Sequence, residues 1–209
     1  MRDTFIKELL NIAKIDSSCI LITGDLGFGV FDQYRRELPS QFINVGVAEQ
    51  NMTALACGLS LNDYTVFTYS IGNFPTLRCL EQIRNDICYH DANVTIVSIG
   101  AGFSYGQLGV SHFATEDLSI LRAIPNLTLF TPTTDQDVRL IMREIPHLNG
   151  PKYLRLDKDF VEHKVECCEY NVGMVNTLRE GEDVTILGVG GVVNEALAAA
   201  TNLQNHGIS

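Results

Sequence analysis

The sequence predicts an α/β protein: a doubly wound, mostly parallel sheet with helices on both faces, followed by the start of a second α/β domain. Three observations carry this. Short continuous apolar runs, such as CILIT at 19–23 and VTIVSI at 94–99, read as strands buried on both faces. Segments with apolar residues at helical spacing separate these runs. Glycine-rich and polar turns mark the junctions. Strands that alternate with helices imply crossover units, and crossovers place helices on both sides of a parallel sheet.

Taken in order, residues 4–14 place Phe5, Leu9, Ile12 and Ala13 at helical spacing. The strand at 19–23 runs into a glycine-rich loop, 24–29. Residues 42–45 read as a second strand, 48–61 as a helix rich in Ala, Leu and Met, and 65–69 as a third strand. Residues 75–89 read as one helix, with Pro75 in its first turn and Leu77, Leu80, Ile83 and Ile87 on one face. After the strand at 94–99 comes a second glycine-rich loop, 100–109, then a helix at 115–123 and a strand at 127–130. Thr134 with Asp137 forms a capping-box pattern that opens a helix at 134–145. A strand at 153–156 closes the series. The expected domains are therefore 1–157, a linker at 158–183, and an incomplete second domain at 184–209. That last part holds a strand at 184–189 and a helix at 192–204, too little to bury a core alone.

The balance of 45% hydrophobic and 19% charged residues is that of an ordinary globular protein. A net charge of -10 without any Lys/Arg cluster argues against nucleic-acid binding, which needs cations for phosphates. No apolar stretch is long enough to span a membrane, and no signal-like run follows the N-terminus. Cys19, Cys57, Cys79 and Cys88 fall in apolar-periodic segments, and Cys167 and Cys168 are adjacent. This suits buried, reduced thiols and a cytoplasmic location.

The strongest chemical signal is Asn44-Val45-Gly46-Val47-Ala48-Glu49-Gln50-Asn51-Met52: a strand end, a glycine turn and an acid at a helix start. Alone, such a glutamate does no more than favour the helix macrodipole. It is joined by Tyr69-Ser70-Ile71-Gly72-Asn73-Phe74-Pro75 followed by Glu81-Gln82-Ile83-Arg84, and by Gly106-Gln107-Leu108-Gly109-Val110-Ser111-His112. Further along stand Leu121-Arg122-Ala123-Ile124-Pro125-Asn126-Leu127 with Thr131-Pro132, and Gly150-Pro151-Lys152-Tyr153-Leu154-Arg155. Together and in this order, these segments resemble the pyrimidine-binding module of transketolase-type thiamine-diphosphate enzymes. The resemblance covers nearly all of 1–157, and the later strand and helix look like the start of that family's C-terminal domain. Gly100-Ala101-Gly102 imitates a dinucleotide fingerprint, but the spacing is GxGxxxG and no clear helix follows.

The resemblance implies roles. In this family a two-carbon ketol unit moves between sugars or sugar phosphates, after the thiazolium of thiamine diphosphate loses a proton and adds to a ketose carbonyl. Glu49 matches the acid that bonds the pyrimidine N1′, a role that calls for a dry carboxyl with its proton affinity raised by desolvation. Phe74 is the candidate stacking ring, although the family aromatic usually falls at the position of Pro75. Asp25 and Leu26 match a pair beside the cofactor, and Arg78 and Gln82, one helical turn apart, are expected to face it. His112 matches the histidine that contacts the donor sugar. Arg155 ends a buried strand and is read either as a ligand for a sugar phosphate or as half of a fold-fixing salt bridge.

The family's diphosphate and Mg²⁺ motifs do not occur here. The expectation is therefore a partner subunit that carries the diphosphate and Mg²⁺, in an α2β2 assembly, with no activity in this chain alone. The alternatives are deoxyxylulose-phosphate synthesis or 2-oxo acid dehydrogenase chemistry with the same cofactor, or a non-catalytic assembly or regulatory subunit.

Overall fold

The computed structural model describes residues 1–157 and 171–209. Cys167, Cys168 and much of the expected linker lie outside the described residues. Six strands form one parallel sheet: β1 (Cys19–Thr23), β2 (Phe42–Asn44), β3 (Thr65–Ile71), β4 (Val94–Ile99), β5 (Thr128–Phe130) and β6 (Lys152–Leu156). Their order is β2-β1-β3-β4-β6-β5, and every pairing is parallel. The sheet is thus wholly parallel where a mostly parallel one is expected.

Side chains on a strand alternate between faces, and the core divides accordingly. Leu21, Phe67, Tyr69, Val97, Ile99, Leu154 and Leu156 point into one apolar layer. Helices α1 (Arg2–Ile15) and α6 (Asp135–Glu144) close it through Phe5, Leu9, Val138 and Ile141. Ile20, Ile22, Val66, Val94, Ile96 and Tyr153 point the other way. They meet Met52 and Ala56 of α3 (Glu49–Ser60) and Leu121 of α5 (Asp117–Leu121). A short helix, α2 (Asp32–Glu37), precedes β2 and buries Tyr34. The capping box at α6 forms as the sequence pattern predicts: Asp137 N–H donates to Thr134 Oγ1, and Thr134 N–H donates to the Asp137 carboxylate.

The expected helix at 75–89 is not one regular helix. Thr76 has φ -113° and ψ -86°, outside the helical region, so the chain enters through a 3-10 turn at Leu77–Cys79. It then passes through α4 (Leu80–Gln82) into a π-helix at Ile83–Cys88. Such widened helices are frequent beside functional sites. The helix expected at 115–123 shortens to α5, and Ala114 just before it is held in an antiparallel bridge with Gly102.

The strand expected at 184–189 does not form. No neighbouring strand lies beside it among the described residues, and a strand exists only through pairing. Val184, Ile186, Leu187 and Val189 are exposed, and the amides of Asp183 and Val184 reach only the carbonyl of Ser209. Residues 171–183 carry no helix or strand either, whereas α7 (Val193–Gln204) forms close to its expected span.

Candidate active site at the C-terminal edge of the sheet

The chain runs from β1 outward to β2, then returns past β1 to β3. The strand order therefore reverses at β1 and β3, and in open α/β sheets ligands bind in the crevice outside the carboxyl ends of the strands at such a point. The expected site residues before β6 lie on the segments that follow β1, β2, β3 and β4.

Glu49 is the first residue of α3 and is only 4% exposed. The positive end of the helix faces its carboxylate. Gly24, directly after β1, lies against this side chain: a Cβ there would stand 3.6 Å from Glu49 Cγ and 3.3 Å from the Gly46 carbonyl oxygen. Gly46 itself has φ +73°, the left-handed turn that bends the chain from β2 into α3.

Arg78 Nη1 donates to Glu49 Oε2 at 2.8 Å, and the Arg78 side chain is 44% exposed. The same guanidinium lies over the ring of Phe74, with Cζ 4.5 Å from the centroid. Phe74 in turn meets the His112 ring edge-on at 5.0 Å. Glu49, Arg78, Phe74 and His112 thus form one unbroken run of contacts across the crevice. Gln82, one turn beyond Arg78, has a buried Oε1 without a hydrogen-bond partner.

The loop that carries His112 is pinned at several points. Gly102 and Ala114 exchange two backbone hydrogen bonds of 2.9 Å. Asn73 Nδ2 donates to the Ser111 carbonyl at 2.9 Å. Gly72, with φ +50°, lets the His112 carbonyl approach so closely that a Cβ would stand 2.5 Å from its oxygen. His112 Nδ1 and the Ser111 hydroxyl are 3.0 Å apart.

Asp25 and Leu26 follow β1 directly. Asp25 has φ +56°, and its amide donates to Asn44 Oδ1, which also accepts from the amide of Gly46. Asn44 therefore ties the loops after β1 and β2 together. Leu26 packs against the apolar layer under α1 and α6.

Arg155 stands apart from the Glu49 run. Its Nε donates to Asp117 Oδ2 at 2.8 Å and its Nη2 to the Ala114 carbonyl at 3.0 Å. Asp117 is 1% exposed and Arg155 is 12% exposed. Tyr153 donates to the same Asp117 oxygen at 2.7 Å. Burial first, and Asp117 second, push the Tyr153 hydroxyl well above its ordinary value, so it remains a donor. Of the two readings of Arg155, the ion pair is the one seen in the geometry.

Sequence reading missed Asn44, Asn73 and Asp117. Asn44 carried a signal, since an asparagine before a glycine turn commonly bonds its own backbone nearby. Asp117 carried none, because an acid in a helix's first turn is ordinary. Among the described residues, no three His, Cys, Asp or Glu side chains converge so as to hold a metal ion. No described helix is long and apolar enough to cross a membrane.

The fold is a doubly wound module with a buried carboxylate and an aromatic ring, bridged by the Arg78 guanidinium, at its switch point. Residues 1–163 match the family described as "Transketolase, pyrimidine binding domain", and residues 173–209 match "Transketolase, C-terminal domain". The chain belongs to the transketolase family. A 6-deoxy-6-sulfo-D-fructose transketolase subunit of Clostridium sp. is 35% identical across all of this chain and 65% of its own length. An apulose-4-phosphate transketolase subunit of Phocaeicola vulgatus is 30% identical across 99% of this chain and 67% of its own length. A solved structure described as "Split gene transketolase, inactive beta4 tetramer" superposes on the whole chain with a TM-score of 0.88, at 32% identity and over 68% of that chain. This chain thus spans about two thirds of the length of these relatives.

Proposed function

We propose that this chain is the pyrimidine-binding subunit of a split transketolase-type enzyme. It transfers a two-carbon ketol unit between sugars or sugar phosphates, with thiamine diphosphate held between it and a separate subunit that carries the diphosphate and Mg²⁺. The observation that carries the reading is the run Glu49–Arg78–Phe74–His112 at the switch point. It pairs a buried carboxyl with a stacking ring and a titratable group facing the crevice. The subunit names of the relatives support a two-chain enzyme. We extend the reading to an α2β2 assembly in the cytoplasm, where the buried Cys19, Cys57, Cys79 and Cys88 stay as free thiols.

When bound, thiamine diphosphate supplies the carbon that takes up and releases the two-carbon unit. The residues present fit its pyrimidine. Glu49 offers a carboxyl screened from water that can share a proton with a ring nitrogen. Phe74 offers a flat apolar face, and the unpartnered Gln82 Oε1 offers an acceptor for an amino group. Asp25 and Leu26, directly after β1, keep the place beside the cofactor that the family pattern gives them. His112 is placed to bond a sugar hydroxyl through Nε2, its Nδ1 being engaged with Ser111. Arg155 positions His112, since it anchors the Ala114 carbonyl and Asp117 just beyond it.

The test is Glu49→Gln in the reconstituted pair, assayed with ketose-phosphate donors and separately with pyruvate. Loss of positioned acid–base function is expected to lower turnover by about 10²-fold or more, with assembly intact by sedimentation. Turnover within about threefold of wild type would leave the chain as an assembly subunit. Faster turnover of pyruvate than of ketose phosphate would move the chemistry to the deoxyxylulose-phosphate or 2-oxo acid type.

A further inference from the structure

Glu49 and Phe74 make, with Arg78, the two contacts that the proposed reading requires them to make with a heterocycle. A guanidinium and an aminopyrimidine that holds the shared proton on its ring nitrogen have three properties in common: each is planar, each has a delocalised π-system, and each turns an N–H toward the carboxylate. The first two let a group lie over an aromatic ring, and the third lets it donate to a carboxylate. Arg78 does both at once. Its Nη1 is 2.8 Å from Glu49 Oε2, and its Cζ is 4.5 Å from the Phe74 centroid. Arg78 therefore lies between Glu49 and the Phe74 ring, which also meets His112 edge-on.

We infer that Arg78 is a placeholder for the cofactor's pyrimidine: its guanidinium occupies the position between Glu49 and Phe74 that the ring takes on loading, and it swings out as the ring enters. This rests on the thiamine-diphosphate reading of the site. The two groups exclude one another, because both need the Phe74 face toward Glu49 and both need the Glu49 carboxylate. Arg78 can leave without disturbing the core. It sits on the 3-10 turn at Leu77–Cys79, its side chain is 44% exposed, and its long stem lets the head reach water while the backbone stays in place.

The placeholder serves the buried carboxylate. A lone charge at 4% exposure is costly, and Arg78 keeps Glu49 paired until a ring replaces it. The consequence is a competition. Cofactor affinity is lowered by the fraction of molecules in which Arg78 holds the site. An exposed cation–π contact and a half-exposed ion pair together correspond to roughly a tenfold effect.

The experiment is calorimetric titration of thiamine diphosphate, at saturating Mg²⁺, into the full chain assembled with its diphosphate-binding partner. Arg78→Met is expected to bind about tenfold more tightly than wild type. Arg78→Lys keeps a charge for Glu49 but loses the planar stack, so it is expected to fall between the two, and it guards against a folding defect in the methionine variant. Unchanged or weaker binding in both variants overturns the placeholder. Glu49→Gln placed in the Arg78→Met background separates the two levels. If its affinity equals that of Arg78→Met, the cofactor reading itself fails; if it weakens while both Arg78 variants bind as wild type does, only the placeholder fails. A structure of the loaded pair adds a direct readout: a guanidinium still bonded to Glu49 Oε2 beside the bound ring also overturns the inference.

Discussion

Replacing Asp117 tests how the His112 loop is fastened. The carboxylate is almost fully buried and accepts from Arg155 Nε at 2.8 Å and from the Tyr153 hydroxyl at 2.7 Å. Asp117→Asn keeps an acceptor for Tyr153 but removes the charge that Arg155 faces. Breaking one side of a buried ion pair costs about 3–5 kcal/mol. Arg155 retains 12% exposure, which lets water reach the guanidinium, so the lower end applies, roughly 3 kcal/mol. Asp117→Ala also removes the acceptor for a buried hydroxyl, which adds about 1 kcal/mol or more. Against a typical stability of about 5–15 kcal/mol, either loss is large. The assay is urea unfolding followed by circular dichroism, with Asp117→Leu, Arg155→Met and their double variant forming a cycle. Removing both charges is expected to recover part of the single-variant loss. A loss under about 1 kcal/mol for Asp117→Asn, or strictly additive effects in the cycle, would refute the argument.

Two further outcomes follow from the same structure. Lys152, at the start of β6, is 1% exposed, and burial lowers its ammonium from 10.5 to about 8, even though Asn93 Oδ1 accepts from it at 2.6 Å. Below pH 8 both folded and unfolded chains carry the proton and the full penalty applies; between pH 8 and 10.5 the unfolded chain holds it more tightly, so stability from this group rises with pH, by roughly 3 kcal/mol in all. Buried thiols work the other way, Cys88 being pushed up to about 11, so the measurement is the difference in unfolding free energy between wild type and Lys152→Met across that window; a flat difference contradicts it. Gly72→Ala places a Cβ 2.5 Å from the His112 carbonyl oxygen at φ +50°, and is expected to cost about 1–3 kcal/mol by thermal unfolding and to raise the KM for the donor sugar more than it lowers kcat, whereas unchanged values of both would detach Gly72 from the loop.

Most of the sheet could be read from the chain because a strand buried on both faces must be apolar along its length. CILIT and VTIVSI have that character and form β1 and β4. The capping box at Thr134 was equally legible, since its chemistry is local. The run at 184–189 has the same apolar character, yet it forms no strand, because pairing depends on a neighbour that local sequence does not specify. The break before Leu77 was hidden for a related reason: Pro75 permits a helix start, but the backbone of Thr76 turns first. In the site, Glu49 could be found from its glycine turn and helix start. Its pairing with Arg78 could not, because that contact joins two crossovers far apart in sequence.

The two-bond clasp between Gly102 and Ala114 has a consequence for how such an enzyme can diverge. The residues between the clasped positions form an eyelet that is tied down again at Ser104, Ser111 and His112. Under the proposed reading, selectivity for the sugar drifts there by exchange of side chains between the ties, while the carboxylate at the opposite wall stays under the stricter constraints of a packed interior.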